Sequence, residues 1–339
     1  MTEPSIDPAV LAAWIADRLP GAGEPLEIER MGLATGIGNA LFWVRRAGQT
    51  WVLRRPPAVI NAPGASDMVR EWRILTALED SPVPHPRPLL LCEDTAVIGA
   101  SFLMMGRVDG YTPTGVLPAP YDTAAAQRDL AFAMIDAIAD LGSLDWQARG
   151  LDGLGRPEGF LERQVARWLK QLERYRVREL PEETFLADWL ERNRPEMSPA
   201  GIIHGDYSPF NVMASPTETT RLAAVIDWDT GTIGDPLLDL GHLLARWSDP
   251  GEEPALSIDI ENRVGLPRRA ELAARYGERT GRDLSALAYY EALALFKLAV
   301  ILEGSYARSV TRGTPSRIPK EMIDRCMRSA AMFARGERT

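Results

Sequence analysis

Three pieces of one stretch, IIHGDYSPFNVM (202–213), LAAVIDWDTG (222–231) and GDPLLDL (234–240), decide how the chain folds. Ile202 and Ile203 form a short apolar run ending at His204, Gly205 and Asp206, and residues 222–226 form a second ending at Asp227. Both are predicted as buried strands. A carboxylate at the end of a buried strand is costly to desolvate without a cation or donor, so two of them invite a metal or a substrate proton. Asn211 follows in the loop that Pro209 turns, and its amide oxygen suits a place beside Asp227. Asn211 and Asp227 then read as a sparse Mg²⁺ site, completed by water and substrate phosphates, and Asp206 is left free as a base.

The order H-G-D-x-x-x-x-N, apolar strand, I-D-W-D resembles the catalytic core of aminoglycoside phosphotransferases and their protein-kinase-like relatives. Within that superfamily the chain looks closest to the branch related to the kinase domain fused to acyl-CoA dehydrogenases in animals. Four polar identities at fixed spacing between two apolar strands are hard to obtain by chance. The resemblance implies an α+β, bilobal, protein-kinase-like fold. Residues 1–106 would form a small antiparallel-sheet lobe that binds nucleotide, and 107–339 a larger, mostly helical lobe for catalysis and acceptor binding. It implies that Asp206 orients and deprotonates an acceptor hydroxyl while Asn211 and Asp227 hold Mg²⁺ against the triphosphate of ATP, with Asp229 assisting a second metal. V-I-D-W-D-T-G also resembles the nucleophile motif of haloacid dehalogenase-like phosphatases, and G-D-P-L-L-D their metal-binding acidic motif. Those motifs sit on different strands of a doubly wound domain, whereas one turn separates Asp227 from Asp235.

Structural duties account for the other polar groups of the stretch. Asp235 and Pro236 are a good N-cap and first-turn pair for a helix running to about Trp247. Asp239 and His242 fall inside that helix, and His204, with no second histidine nearby, is expected to brace the loop.

Upstream, residues 8–19 predict an amphipathic helix, and 26–31, 40–46 and 50–54 predict three short strands of an antiparallel sheet. Gly32, Gly36 and Gly38 between the first two let backbone approach an anion without Cβ obstruction, and the resemblance makes this the phosphate-covering loop. Arg54 ends the third strand where the kinase-like pattern has a lysine. Its planar fork can bind phosphate oxygens bidentately, and the branch the chain resembles carries R-R-P-P here. Arg55 points to the opposite face. A helix over 66–78 puts Glu71 inside the apolar stripe of Met68, Trp72, Leu75 and Leu78, where it needs a basic partner. Arg54 fits, with pairing to Arg70 on an exposed face as the alternative. Strands over 89–92 and 100–105 lead into residues 106–110, which the resemblance makes the hinge at the adenine edge, with Met105, Arg107 and Val108 beside the base.

Helices are predicted over 122–141, 158–175, 268–278, 284–308 and 320–333. Relatives use the last part as the acceptor side, which marks Tyr289, Tyr290, Lys297, Glu303, Tyr306 and Arg308 as candidate contacts. Arg163, Arg167, Lys170, Arg174, Arg176 and Arg178 form a candidate basic patch for a coenzyme A moiety.

Composition bounds the rest. At 339 residues with 45% hydrophobic and 25% charged, the chain has an ample core in one large or two modest domains. No apolar run is long enough for a bilayer, the acidic first residues do not read as a secretory signal, and two isolated cysteines suit a reducing compartment, so a cytoplasmic protein is expected. A net charge of −9 argues against nucleic acid as a partner. The acid is uneven, with nine acidic residues against Arg246 alone between Asp227 and Glu261. The function expected is an ATP- and Mg²⁺-dependent kinase acting on the hydroxyl of a small acceptor, hydroxyacyl-CoA-like or aminoglycoside-like. The alternative is a nucleotide-binding scaffold without transfer activity.

Overall fold

A computed structural model describes residues 6–32, 39–57, 67–249 and 260–338, so Gly36 and Gly38 lie outside the described residues. The architecture is α+β, a small antiparallel sheet followed by a larger helical part.

Helix α1 (Pro8–Trp14) starts where Asp7 accepts the Ala9 N–H at 2.8 Å. It is shorter than the apolar periodicity suggests. After Trp14 the chain continues in turns, and the guanidinium of Arg46 donates to the carbonyls of Ile15, Leu19 and Pro20 at 3.2, 2.6 and 2.9 Å. The sheet is built from β1 (Glu27–Arg30), β2 (Ala40–Arg46), β3 (Gln49–Arg55), β4 (Pro88–Cys92) and β5 (Phe102–Gly106) in the order β1-β2-β3-β5-β4, every pair antiparallel. Between β3 and β4 lies α2 (Met68–Leu78), whose N-cap Asp67 accepts the Val69 and Arg70 N–H groups, each at 3.1 Å. Strand periodicity sends alternate side chains to two cores. Phe42, Val44, Leu53, Phe102 and Met104 pack on Leu11 of α1 and on Ile15 just after it, whereas Leu103 and Met105 pack on the α2 side with Met68, Leu75 and Leu78.

The helical part contains α3 (Ala124–Ser143), α4 (Gln164–Glu173) and α5 (Glu183–Arg192) before the stretch 202–240. Helix α4 begins later than the basic amphipathic pattern, after Gly159 at φ +65° and a set of turns. Within the decisive stretch, β6 (Gly201–Ile203) pairs with β9 (Thr232–Gly234), and β7 (Val212–Ala214) pairs with β8 (Leu222–Val225). The strands that end at Asp206 and Asp227 therefore lie in two separate ribbons. Helix α6 (Leu237–Arg246) follows, and Asp235 caps it by accepting the Leu237 N–H at 3.0 Å. Asp235 also accepts from Ser198 and from the Tyr290 hydroxyl, so the cap ties three segments together.

Helices α7 (Arg269–Thr280), α8 (Leu287–Thr311) and α9 (Lys320–Arg335) complete the described chain. The long apolar α8 is the spine on which α4, α5, α6 and α9 pack. Gly241 of α6 sits so close to α8 that a Cβ there would meet the Tyr290 backbone at 2.7 Å. That close approach brings side chains of α8 beneath the loop that carries Asp206. Among the described residues no helix is long and apolar enough to cross a membrane.

Candidate active site

The loop after β6 is fixed by backbone contacts that the residue types explain. Gly205 turns at φ +79°, and a Cβ there would meet the Thr230 carbonyl at 2.7 Å. The N–H groups of His204 and Gly205 both donate to the Asp239 carboxylate, at 2.6 and 2.8 Å. Burial pushes the Asp239 carboxyl up, and His204 with these two backbone donors pulls it back. His204 reaches the other ribbon: Nε2–H donates to the Ile226 carbonyl at 2.9 Å, and Nδ1 accepts the Asp206 N–H at 3.3 Å. Asp239 and His204 are thus structural braces that hold the turn in place.

Asp206 projects from this turn, its side chain about half exposed, and Oδ1 accepts from Arg246 Nη2 at 2.7 Å. Burial alone would raise the Asp206 carboxyl, but Arg246 and Lys297 outweigh it and hold it below its ordinary value. Asn211 Nδ2 donates to the Asp206 carbonyl at 2.8 Å, which leaves Oδ1 as the atom available to a cation. The Asn211 carbonyl accepts the Ile226 N–H at 2.9 Å, placing that amide beside the end of β8 and hence beside Asp227.

Asp227 adopts φ +65°, a left-handed conformation uncommon for a residue with a side chain and often found at functional positions. Its Oδ1 accepts from Arg54 Nη2 at 2.6 Å, and the same nitrogen lies 3.0 Å from Asp229. Arg54 Nε approaches Glu71 Oε2 at 2.8 Å, as an ion pair rather than an aligned hydrogen bond. Burial opposes the Arg54 charge, yet Glu71, Asp227 and Asp229 more than compensate and raise its proton affinity. Burial pushes the Glu71 carboxyl up to about 7, against the pull of Arg54. Asn39 Nδ2 donates to both Asp229 oxygens at 2.9 Å, a brace from the start of β2 that the sequence reading did not contain.

Arg54, Glu71, Asn211 and Asp227 line one end of a cavity of about 290 Å³. Its other walls are apolar and come from Met31, Leu41, Trp43, Val52, Met105, Val108, Met213 and Ile226. Leu41 and Trp43 lie on the face of β2 opposite to Phe42 and Val44, so strand alternation was the available signal for them. Arg107 leaves the cavity, paired with Asp109 at 2.9 Å and lying over the Trp43 ring. Gly32, at φ +64°, does not line the cavity itself but follows Met31, which does.

The candidate acceptor contacts scatter. Tyr289 and Tyr290 are buried core, and Glu303 is buried against Arg178, over which Tyr306 stacks. Arg308 donates to Ser305. Lys297 alone of that group reaches the loop that carries Asp206. The basic patch is dispersed too: Arg176 pairs with Glu173 and Glu183, Arg178 with Glu303 and Asp324, and Arg163 donates to backbone carbonyls. Arg246 was missed, although Asp239, His242 and Arg246 share one face of α6 at helical spacing.

No three His, Cys, Asp or Glu side chains among the described residues gather as a metal cage. An amide oxygen and a half-exposed carboxylate fit a Mg²⁺ ion that takes its remaining ligands from water and phosphates.

The model of the phosphotransferase enzyme family matches residues 30–291. The chain is 32% identical over 308 residues to acyl-CoA dehydrogenase family member 11 of Homo sapiens, covering 89% of this chain and 39% of that protein. It therefore spans about two fifths of the length of such relatives. A solved structure from Ralstonia eutropha, described provisionally as an aminoglycoside phosphotransferase, is 31% identical, with a TM-score of 0.81 and 98% of each chain covered. Choline kinase from Cryptosporidium parvum shares the fold at 11% identity, with a TM-score of 0.65 over 98% of this chain and 95% of that one.

Proposed function

The chain belongs to the phosphotransferase enzyme family, and from that premise we propose that it is a small-molecule kinase that moves the γ-phosphate of ATP to a hydroxyl group. The observation that supports this most is one cavity with an apolar end suited to a flat base and a charged end where Arg54, Glu71, Asn211 and Asp227 converge. In this reading residues 1–106 hold the nucleotide, with Met105 and Val108 at the base, Gly32 and its loop over the phosphates, and 107–339 carry catalysis and the acceptor.

Arg54, oriented by Glu71, exchanges Asp227 for phosphate oxygens when the nucleotide enters. Mg²⁺ held by Asn211 and Asp227 would neutralise charge on the β- and γ-phosphates. Asp206, kept anionic by Arg246, accepts the acceptor O–H, aligns its oxygen with the γ-phosphorus and takes the proton as the P–O bond to ADP breaks. Because Asp206 is a weak base, its contribution is chiefly alignment.

The names of the relatives support a hydroxyacyl-CoA-like acceptor, and cations beside Asp206 disfavour a polycationic aminoglycoside. One observation favours a scaffold without transfer: Arg54 already occupies Asp227 at 2.6 Å. Mg²⁺-dependent ATP turnover across a panel of hydroxylated metabolites, with Asp206→Asn as control, separates the two. Nucleotide binding without any turnover dependent on Asp206 would decide for the scaffold.

A further inference from the structure

Lys297 is a buried cation that the phosphoryl-transfer reading leaves without a task. It lies near the middle of α8, 6% exposed, and burying an ammonium is costly unless it is paired. Its Nζ donates to the carbonyl of Gly205 and lies 3.2 Å from His242 Nε2. The Trp168 ring of α4 lies 5.6 Å away, with Arg167 on the same indole at 5.1 Å.

That carbonyl belongs to the peptide unit between Gly205 and Asp206. The N–H of the same unit is held by His204 Nδ1 at 3.3 Å, so the plane is gripped at both edges, oxygen by α8 and nitrogen by the loop itself. Glycine at φ +79° tolerates more than one orientation of the peptide that follows it, and rotating that plane would swing the Asp206 side chain. Asp239 fixes the preceding N–H groups but touches neither edge of this unit.

We propose that Lys297 is a positioning residue for phosphoryl transfer: from α8 its ammonium clamps the Gly205 carbonyl and so fixes the direction in which Asp206 meets the acceptor. This rests on Asp206 being the acceptor-facing carboxylate. The clamp is also a pH-sensitive part. Burial lowers the Lys297 ammonium to about 8. Around it stand Asp206 on the catalytic loop, Asp239, His242 and Arg246 on α6, and Arg167 on α4, the two carboxylates favouring its charge and the two arginines opposing it. His242, kept neutral by burial and by Lys297 and Arg246, is an acceptor for the ammonium. From α9, Cys326 faces Arg246. Above about pH 8 the amine is neutral and holds the carbonyl less firmly.

The test compares wild type with Lys297→Met, which keeps length without charge, and Lys297→Gln, which keeps a donor without charge. Hydrogen exchange of a peptide covering 204–211 is followed first, because it needs no acceptor. Both variants should exchange faster there at pH 7, Met by about tenfold and Gln by less, with α8 flanks unchanged. In Mg-ATP turnover, kcat should fall about tenfold to a hundredfold in Lys297→Met with KM for ATP within about twofold. The wild-type alkaline limb near pH 8 should be absent from both variants. Equal exchange in that peptide overturns the proposal, as does a loss of kcat that travels with KM and a fallen unfolding midpoint. If wild type neither binds nor turns over ATP, the kinase reading fails instead, and the exchange result still decides whether Lys297 holds the turn.

Discussion

Two charge clusters meet at the candidate site, built from the same residue types and balanced differently. Near the sheet, Arg54 stands against three carboxylates, Glu71, Asp227 and Asp229. Beneath the loop that carries Asp206, Arg246 and Lys297 stand with two, Asp206 and Asp239. The first cluster has an excess of acid open to the cleft and gains from an incoming cation. The second is balanced by its own partners, two cations against two carboxylates. One is built to receive, the other to hold a direction.

The largest effect expected is on the second cluster's exposed end. Asp206→Asn keeps the size of the side chain but removes proton acceptance and leaves Arg246 without its carboxylate. Turnover should fall by about a hundredfold to ten-thousandfold while nucleotide affinity stays near wild type. Comparable losses of both would mean that the two clusters are not separate devices.

Arg54→Ala sharpens the contrast from the other side. It removes the cation from three acidic groups, one of them deeply buried, and should cost about 3–5 kcal/mol of stability. Mg²⁺ should then restore more of the unfolding midpoint in the variant than it adds to wild type, because it binds where the acids are uncompensated. A variant indifferent to Mg²⁺ would show that the acid excess is not a cation site.

The buried lysine gives a sign that can be worked out. Lys297 has its ordinary proton affinity when unfolded and a lower one, about 8, when folded. Between those values the unfolded chain binds more protons, so stability from this group rises with pH. From pH 8 to 10 the gain is on the order of 2 kcal/mol. Cys326, pushed up to about 12 by burial, acts oppositely above its ordinary value of 9, as do Tyr121 and Tyr175 above 10. The contribution is therefore read as the difference between wild type and Lys297→Met in denaturant titrations at pH 7, 8, 9 and 10. A difference that does not change with pH would place the ammonium in a more forgiving site than its neighbours suggest.

Much of the sheet-side cluster was legible in the sequence, because its signals are local. Glu71 falls in an apolar helical stripe and Arg54 at a strand end, and each implies a partner before any fold is drawn. The cluster around Asp206 was not legible in the same way. Arg246 stood out only as the one basic residue of an acidic stretch, and Lys297 only as one of several candidate acceptor contacts on an apolar helix. What joins them to Asp206 is the packing distance between α6 and α8, which no residue pattern states. Two of the candidate acceptor residues on α8, Tyr290 and Glu303, are instead engaged inside the core by Asp235 and Arg178, a pairing that helical spacing does not state.

The smallest effect expected tests that packing distance directly. Gly241→Ala adds a methyl group where the Tyr290 backbone lies 2.7 Å away, so α6 and α8 must part by some tenths of an ångström. The overpacking should cost about 1–3 kcal/mol, offset in part by the better helix propensity of alanine, about 1 kcal/mol. Tyr290 and Lys297 are on the same helix, and His242 is the neighbour of Gly241, so the displacement reaches the Lys297 ammonium and the Gly205 carbonyl it holds. Arg54, Glu71 and Asp227 rest on the sheet, α2 and the end of β8, none of which touches the substituted position. Nucleotide affinity should therefore be unchanged while turnover drops several-fold, and hydrogen exchange should quicken over 204–211 but not over 51–55. Equal loosening of both segments would show that the helix pair supports the whole cleft, and the distinction between a receiving cluster and a holding one would then have no mechanical basis.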